Sequence, residues 1–358
     1  MIDYQTISAL NQSTLKQILI SPQAYIKAKE RQLARVESTE QHFVFGSVVD
    51  MLLLDSKEDF DKKYAVIPDD TGVSETVGKI VKGIYDSAVD EDKLYDADIK
   101  HTPTNLEDYP EQILKHCGYE LYQSRWKDET RINKIVEQGS KYFDILKKCG
   151  TKTIITESEY AKAVNCVMAL RSDKHTSKYC QKKSSNPDIE IINKHVVVFE
   201  HRGLEFKGEL DRVIVDHKEK VIIPIDFKTT SKSVLNFENS FWFYRYDFQA
   251  AVYSLGLSLD KSERLQKYYQ DGYSIKPILY IVVETFLNNP PMVFEISKSA
   301  IDVGLYGNIH PKTKGPKIKD NHEGFQQAID RFKYATDNDA WDYNREYHIK
   351  GKHSITLF

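Results

Sequence analysis

Over the first sixty residues apolar positions recur every three or four places, the spacing of helices with one buried face. Leu15, Ile18 and Leu19 mark the first such helix, and Ser13 stands where its N-cap belongs. Pro22 opens a polar helix over 23–35, and a more apolar one covers 43–54. A fourth is predicted over 57–64, then a short extended run over 64–68. From 69 to about 120 loop signals (Asp69-Asp70-Thr71-Gly72, Asp90-Glu91-Asp92, Pro103) separate helical pieces around 75–89 and 110–117. A helix over 130–149 ends at Gly150, and a short strand follows at 151–156. Tyr160, Val164, Val167, Met168 and Leu170 then form a helical stripe within 157–172, which is expected to pack in the core.

The period changes near residue 189. The stretches 189–200, 204–216 and 221–228 are rich in Val, Ile and Phe and are predicted as strands. His201-Arg202-Gly203 and His217-Lys218-Glu219-Lys220 are the turns between them. A helix over 247–257, strands at 278–284 and 292–296, and a last helix over 323–335 complete the series. Helices, a three-stranded meander, a helix and further strands predict an α/β fold of the α+β type, with a mixed sheet flanked by helices.

Composition narrows the possibilities. At 358 residues, 41% hydrophobic and 29% charged, the chain can bury a large core and is not disordered as a whole. A net charge of −3 excludes a polybasic protein that grips nucleic acid by bulk charge, though not a locally basic groove. No apolar run is long enough to span a bilayer, so no membrane association is expected. The stretch Met1 to Leu10 lacks the pattern of a signal peptide, so a cytoplasmic protein is expected. Cys117, Cys149, Cys166 and Cys180 form no CxxC pair and are expected to be buried free thiols.

The candidate chemistry lies in Gly208-Glu209-Leu210-Asp211 and Pro224-Ile225-Asp226-Phe227-Lys228. Alternation along a strand places Asp226 and Lys228 on one face, with Ile225 and Phe227 on the other. A turn centred between Lys218 and Glu219 pairs residues whose numbers sum to 437, which sets Asp211 directly across from Asp226. Their Cβ atoms would then lie roughly 4.5–5.5 Å apart. Two carboxylates that close share a proton unless a cation sits between them, and Mg²⁺ or Mn²⁺ suits such oxygen ligands. With Lys228 beside the ion, the group suits phosphodiester hydrolysis; the same residues also suit a salt-bridged cluster on a wet sheet face. Gln249 and Tyr253 share a helix face, where they could hold a phosphate or a nucleotide end. Asp50 is the one acid on the apolar run Gly46–Leu54 and needs either solvent or a partner.

The order Asp50, Asp211, Asp226-x-Lys228, Gln249-xxx-Tyr253 resembles the PD-(D/E)XK nuclease superfamily. Within it the chain is similar to the RecB-like group and the RecE-type phage exonucleases. Gly46-Ser47-Val48-Val49-Asp50 resembles the GxxxH helix of the family, with aspartate in place of histidine. Phe206 to Arg212 resembles the second-strand motif, Ile225 to Thr230 the D-x-K-T-T strand, and Tyr246 to Tyr253 the QxxxY helix.

The resemblance implies a restriction-endonuclease-like core in a single nuclease domain over 1–358, with 69–140 as a helical insertion. It implies Mg²⁺ (or Mn²⁺) held by Asp211, Asp226 and the backbone carbonyl of Phe227, with Asp50 in the histidine's place. Lys228 would be the catalytic lysine, and Gln249 and Tyr253 would support the site and the DNA end. Glu190 or Glu200 would supply a further glutamate found in some relatives. The activity implied is a metal-dependent DNA exonuclease acting on duplex ends in phage-type recombination or repair. A single-strand annealing protein is the implied partner, and a homo-oligomer the implied assembly. An endonuclease of the same fold and an inactive DNA-binding scaffold remain as alternatives. DNA contacts would come from Lys312, Lys314, Lys317 and Lys319, with Lys182, Lys183 and Lys232 as lesser candidates, and from aromatics among Phe241, Trp242, Phe243, Tyr244 and Tyr246; the lysines equally suit solvated loops, and most of the aromatics are expected to pack in the core.

Overall fold

A computed structural model describes residues 4–33, 41–95, 103–260, 262–308 and 322–352. The chain forms two compact units, Met1–Leu54 with Asn165–Phe358, and Asp55–Val164. The strands are β1 (Leu10–Asn11), β2 (Tyr64–Ile67), β3 (Thr153–Thr156), β4 (Ile189–His201), β5 (Leu204–Asp216), β6 (Val221–Thr230), β7 (Ser274–Ile275), β8 (Leu279–Glu284) and β9 (Met292–Glu295).

In the first unit a mixed sheet runs β1-β5-β6-β8-β9. β4 pairs antiparallel with β5 along its length, and β7 pairs with the first residues of β6. The β4–β5 turn is built by Arg202 and Gly203, both at positive φ, the pairing a two-residue hairpin requires. The β5–β6 turn is closed by the Glu219 N–H, which donates to Asp216 Oδ1 at 2.9 Å. Its register, Arg212 with Ile225 through Asp216 with Val221, keeps the sum of 437 expected from the sequence. β6 then runs parallel to β8, which places Tyr280 beside Asp226. Phe206, Leu210, Val213, Ile222 and Phe248 are among the fully buried residues of the core around this sheet.

The helix Tyr246–Leu259 carries buried Phe248, Val252, Tyr253 and Leu257 against that core. A second helix, Lys298–Tyr306, lies on it backbone to backbone. A Cβ on Gly304 would stand 2.1 Å from the Asp247 carbonyl oxygen and 2.8 Å from Ala251 Cβ. Gly304→Ala must therefore push the two helices apart, and a loss of about 3 kcal/mol is expected. Urea unfolding measures it; an unchanged midpoint would contradict the packing.

The second unit pairs β2 with β3 in parallel and packs the helices Glu75–Tyr95, Pro110–Tyr119 and Asp128–Cys149 around Ile80, Ile84, Ile113, Ile135, Phe143 and Leu146. The segment 69–140 falls inside this unit. All four cysteines are free and buried.

Two local expectations are corrected. Asn11, not Ser13, caps the first helix: its side chain accepts the Thr14 N–H at 2.7 Å, and Ser13 Oγ donates to that same oxygen. Asn11 wins because β1 fixes its backbone in the extended form an N-cap needs. In the helix Glu157–Ser172 the core face is Ala163, Cys166, Val167 and Leu170, while Met168 is 63% exposed. Two apolar neighbours, Val167 and Met168, lie about 100° apart on a helix, so the face that takes one turns the other outward.

Candidate active site

The ladder between β5 and β6 is regular up to Arg212 and Ile225 and then changes character. At the next position the Asp211 carboxylate, rather than a backbone carbonyl, accepts the Phe227 N–H, at 2.7 Å to Oδ2. On the other edge of β5, Lys194 falls between the pairs Asn193–Arg212 and His195–Leu210 and has a φ of 51°. The β4 backbone beside this aspartate is thus in the left-handed region, an outlier of the kind that concentrates at functional sites.

Asp226, two places from Lys228 on β6, is 2% exposed although its alternate neighbours Ile225 and Phe227 fill the core face. Both faces of β6 are therefore buried here. Lys228 Nζ lies 2.5 Å from Asp226 Oδ2. The contact is a short, charge-assisted ion pair, and Lys228 is the one partner of Oδ2 among the described residues. The Lys228 ammonium also lies 5.0 Å from the Tyr246 ring centroid and 5.6 Å from that of Tyr280. Such rings favour the cation.

Gln249 and Tyr253 meet as expected from their spacing, with Nε2 donating to the Tyr253 hydroxyl at 3.2 Å. Tyr280 extends the chain, its single hydroxyl proton shared between two acceptors, Gln249 Oε1 at 3.2 Å and the Tyr246 carbonyl at 3.0 Å. Sequence reasoning missed Tyr280, because parallel pairing of β8 with β6 leaves no local signal. Gly208 makes room for Tyr253: a Cβ there would sit 3.1 Å from the ring. The helix Gln41–Leu54 brings Gly46 against Thr229 and places Asp50, half-buried, within electrostatic reach of Asp211.

The electrostatics follow from this crowding. Burial, then the charges of Asp226 and Asp50, hold the Asp211 carboxyl well above the usual carboxylate range, and Lys228 and the Phe227 N–H recover part of the shift. Burial raises Asp226 too, against the pull of Lys228. For Lys228 burial opposes the charge, but Asp226, Asp211 and Tyr246 outweigh it and hold the ammonium above the ordinary lysine value. Burial and the Asp226 charge likewise keep the Tyr253 and Tyr280 hydroxyls protonated. Two mutually repelling acids and one cation leave a local excess of negative charge.

A divalent cation fits this donor set. Asp211 and Asp226 offer hard oxygens on adjacent strands, Asp226 buried and met by Lys228 alone, and an ion would relieve the raised pKa of Asp211. Among the described residues no three His, Cys, Asp or Glu side chains form a ready-made cage. Neither suggested glutamate is near: Glu190 is held by Arg264 at 3.1 Å and by the Tyr268 hydroxyl, and Glu200 is exposed beside the β4–β5 turn. Lys182, Lys183 and Lys232 are exposed, and Lys312, Lys314, Lys317 and Lys319 lie outside the described residues.

A profile of the PD-(D/E)XK nuclease superfamily matches residues 9–342. The chain belongs to that superfamily. As a PD-(D/E)XK nuclease it has the mixed sheet flanked by helices that this fold requires, with the acidic pair and lysine on adjacent central strands. Among solved structures it is similar to a proposed exonuclease of Eubacterium rectale, at 11% identity and a TM-score of 0.29, over 69% of this chain and 77% of that one. It is also similar to a protein named SSO0001, at 11% identity and a TM-score of 0.21, over 61% and 77% of the respective chains. Among curated proteins no sequence relative is found. No helix among the described residues is long and apolar enough to cross a membrane.

Proposed function

We propose that this nuclease is a divalent-cation-dependent DNA exonuclease working at duplex ends, with Asp211, Asp226 and Lys228 as its catalytic centre. The observation that carries the reading is the Lys228–Asp226 contact at 2.5 Å, beside an Asp211 whose charge is resisted by burial and by two neighbouring acids. Mg²⁺ or Mn²⁺ would be held by Asp211, Asp226, the Phe227 carbonyl and Asp50. When bound, the ion supplies Lewis acidity toward the phosphodiester and lowers the pKa of water.

The chain's own residues divide the remaining work. Lys228, kept cationic by its acids and rings, orients the attacking water and stabilises charge that builds on the phosphoryl oxygens. Gln249 and Tyr253, tied to each other and to Tyr280, brace the wall against which the DNA end rests. Exonuclease action rests on the full ordered motif set, which resembles the RecE-type enzymes through Gln249 and Tyr253. In that reading 69–140 is a helical insertion in one nuclease domain over 1–358. The enzyme acts in the cytoplasm, the host's if phage-encoded, in recombination or repair. It would act beside a single-strand annealing protein, as a homo-oligomer.

Linear end-labelled duplex and closed circular duplex, each with Mg²⁺ and with Mn²⁺, test the reading. Loss of the linear form alone is expected. Cutting of both forms would make the protein an endonuclease. DNA binding without cutting would make Asp50, where relatives carry histidine, the mark of a DNA-binding scaffold.

A further inference from the structure

The five aromatics between β6 and the Gln249 helix do not share one fate. Phe241 is buried in the core, but Phe243 is 75% exposed and Tyr244 is 46% exposed. Their rings meet edge to face with centroids 5.0 Å apart. From Tyr244 a line of contacts leads inward: its ring lies 5.8 Å from that of Tyr246, which lies 5.0 Å from Lys228 Nζ. The exposed pair is therefore continuous with the candidate active site.

The turn that carries the pair is fastened from both sides. Lys16 Nζ donates to the Tyr244 carbonyl at 3.2 Å. Arg245 sits in the left-handed region at a φ of 62°, uncommon for a residue with a Cβ. Its guanidinium donates to the Glu323 carbonyl and to Asp247, and Asp247 also binds His322 Nε2 at 2.7 Å. An aromatic step held this firmly loses little freedom when it meets a ligand.

The charges around the step are positive. Lys232 Nζ lies 5.7 Å from the Phe243 centroid and 5.9 Å from that of Tyr244, on an exposed side chain. Lys16 and Arg245 stand behind the turn, and burial followed by the Arg245 charge pushes Lys16 down to about 8, with Lys228 adding to the shift and Asp247 opposing it. Flat apolar faces among cations, next to a phosphodiester-cleaving centre, match a nucleic acid strand, which offers stacked bases and a phosphate at each step.

We propose that Phe243 and Tyr244 are a stacking platform for a DNA base close to the cleaved bond, with Lys232 taking a phosphate of the same strand. The inference rests on the nuclease reading of the Lys228 site. Lys232 gives up its ring contacts for the phosphate, and Lys16 is a positioning residue that holds the platform through the Tyr244 carbonyl.

The test uses the full chain in EDTA, so that the DNA stays intact, with 2-aminopurine moved one nucleotide at a time from a duplex end. Wild type is expected to quench the probe at one position near the end. Phe243→Ala with Tyr244→Ala is expected to abolish that quenching and to weaken binding about fivefold or more, while Phe243→Trp retains both. Quenching that persists unchanged in the double variant overturns the platform. So does DNA that wild type binds, and with Mg²⁺ cleaves, without quenching at any position. Wild type that neither binds nor cleaves DNA sinks the nuclease reading, and the platform with it.

Discussion

Replacing Lys228 with methionine is expected to lower DNA cleavage by about 10²–10³ or more, the scale seen when one charge-stabilising donor is lost from a reaction centre. Methionine keeps most of the length and still packs between Tyr246 and Tyr280, so the loss would report charge rather than shape. The change also leaves Asp226 buried without its counter-charge. Asp211 and Asp226 would then hold a proton to higher pH than in the wild type, because Lys228 is what lowers both. The variant should therefore lose more thermal stability at pH 8 than at pH 5. Single-turnover cleavage and paired melts measure both effects. Activity within tenfold of wild type would remove Lys228 from the mechanism.

Asp211→Asn is expected to abolish cleavage and yet stabilise the metal-free protein at pH 8. Asp211 is raised above its unfolded value of roughly 3.9, so the fold favours its protonated form. Its stabilising contribution is present below the unfolded pKa and is lost as pH rises through the folded one. At pH 8 the ionised group is a cost, which asparagine removes while its amide oxygen still accepts the Phe227 N–H. The advantage should shrink at pH 5. Divalent cation should reverse the ranking: at a hundred times its Kd it adds about 2.7 kcal/mol to a protein that binds it only when folded. Melting curves with and without Mn²⁺ at the two pH values give the answer. A variant that melts lower than wild type in every condition, and that responds to Mn²⁺ as wild type does, would contradict this role for Asp211.

Much of the centre was legible because short-range rules govern it. β-branched runs broken by Arg202-Gly203 and by 217–220 define the meander, and the second turn alone fixes the register of β5 on β6. The fourfold spacing of Gln249 and Tyr253 is enough to bring them together. Asp50 was legible only through resemblance, since nothing local says which face of an apolar helix meets Asp211.

What escaped was decided by tertiary contact. Two residues at β1 turned Asn11 into a cap in place of Ser13. Tyr280 reaches the site because β8 pairs in parallel with β6, across a separation that no periodicity records. Phe241 and Phe243 are alike in composition, yet one fills the core and the other faces solvent, because they stand about 200° apart on the helix Phe237–Phe243 and the core decides which of the two faces is buried. The helices over 263–270 and 298–306 were not predicted, and the second depends on Gly304 fitting against Asp247.

Crystals soaked in Mn²⁺, with data collected at the manganese absorption edge, test the central claim most directly. An anomalous peak touching the carboxylates of both Asp211 and Asp226, and absent from Asp211→Asn crystals, is the result predicted. Manganese bound elsewhere, or nowhere, in a protein that cleaves DNA in the same buffer would show that the reaction centre is not where this acidic pair and its lysine meet.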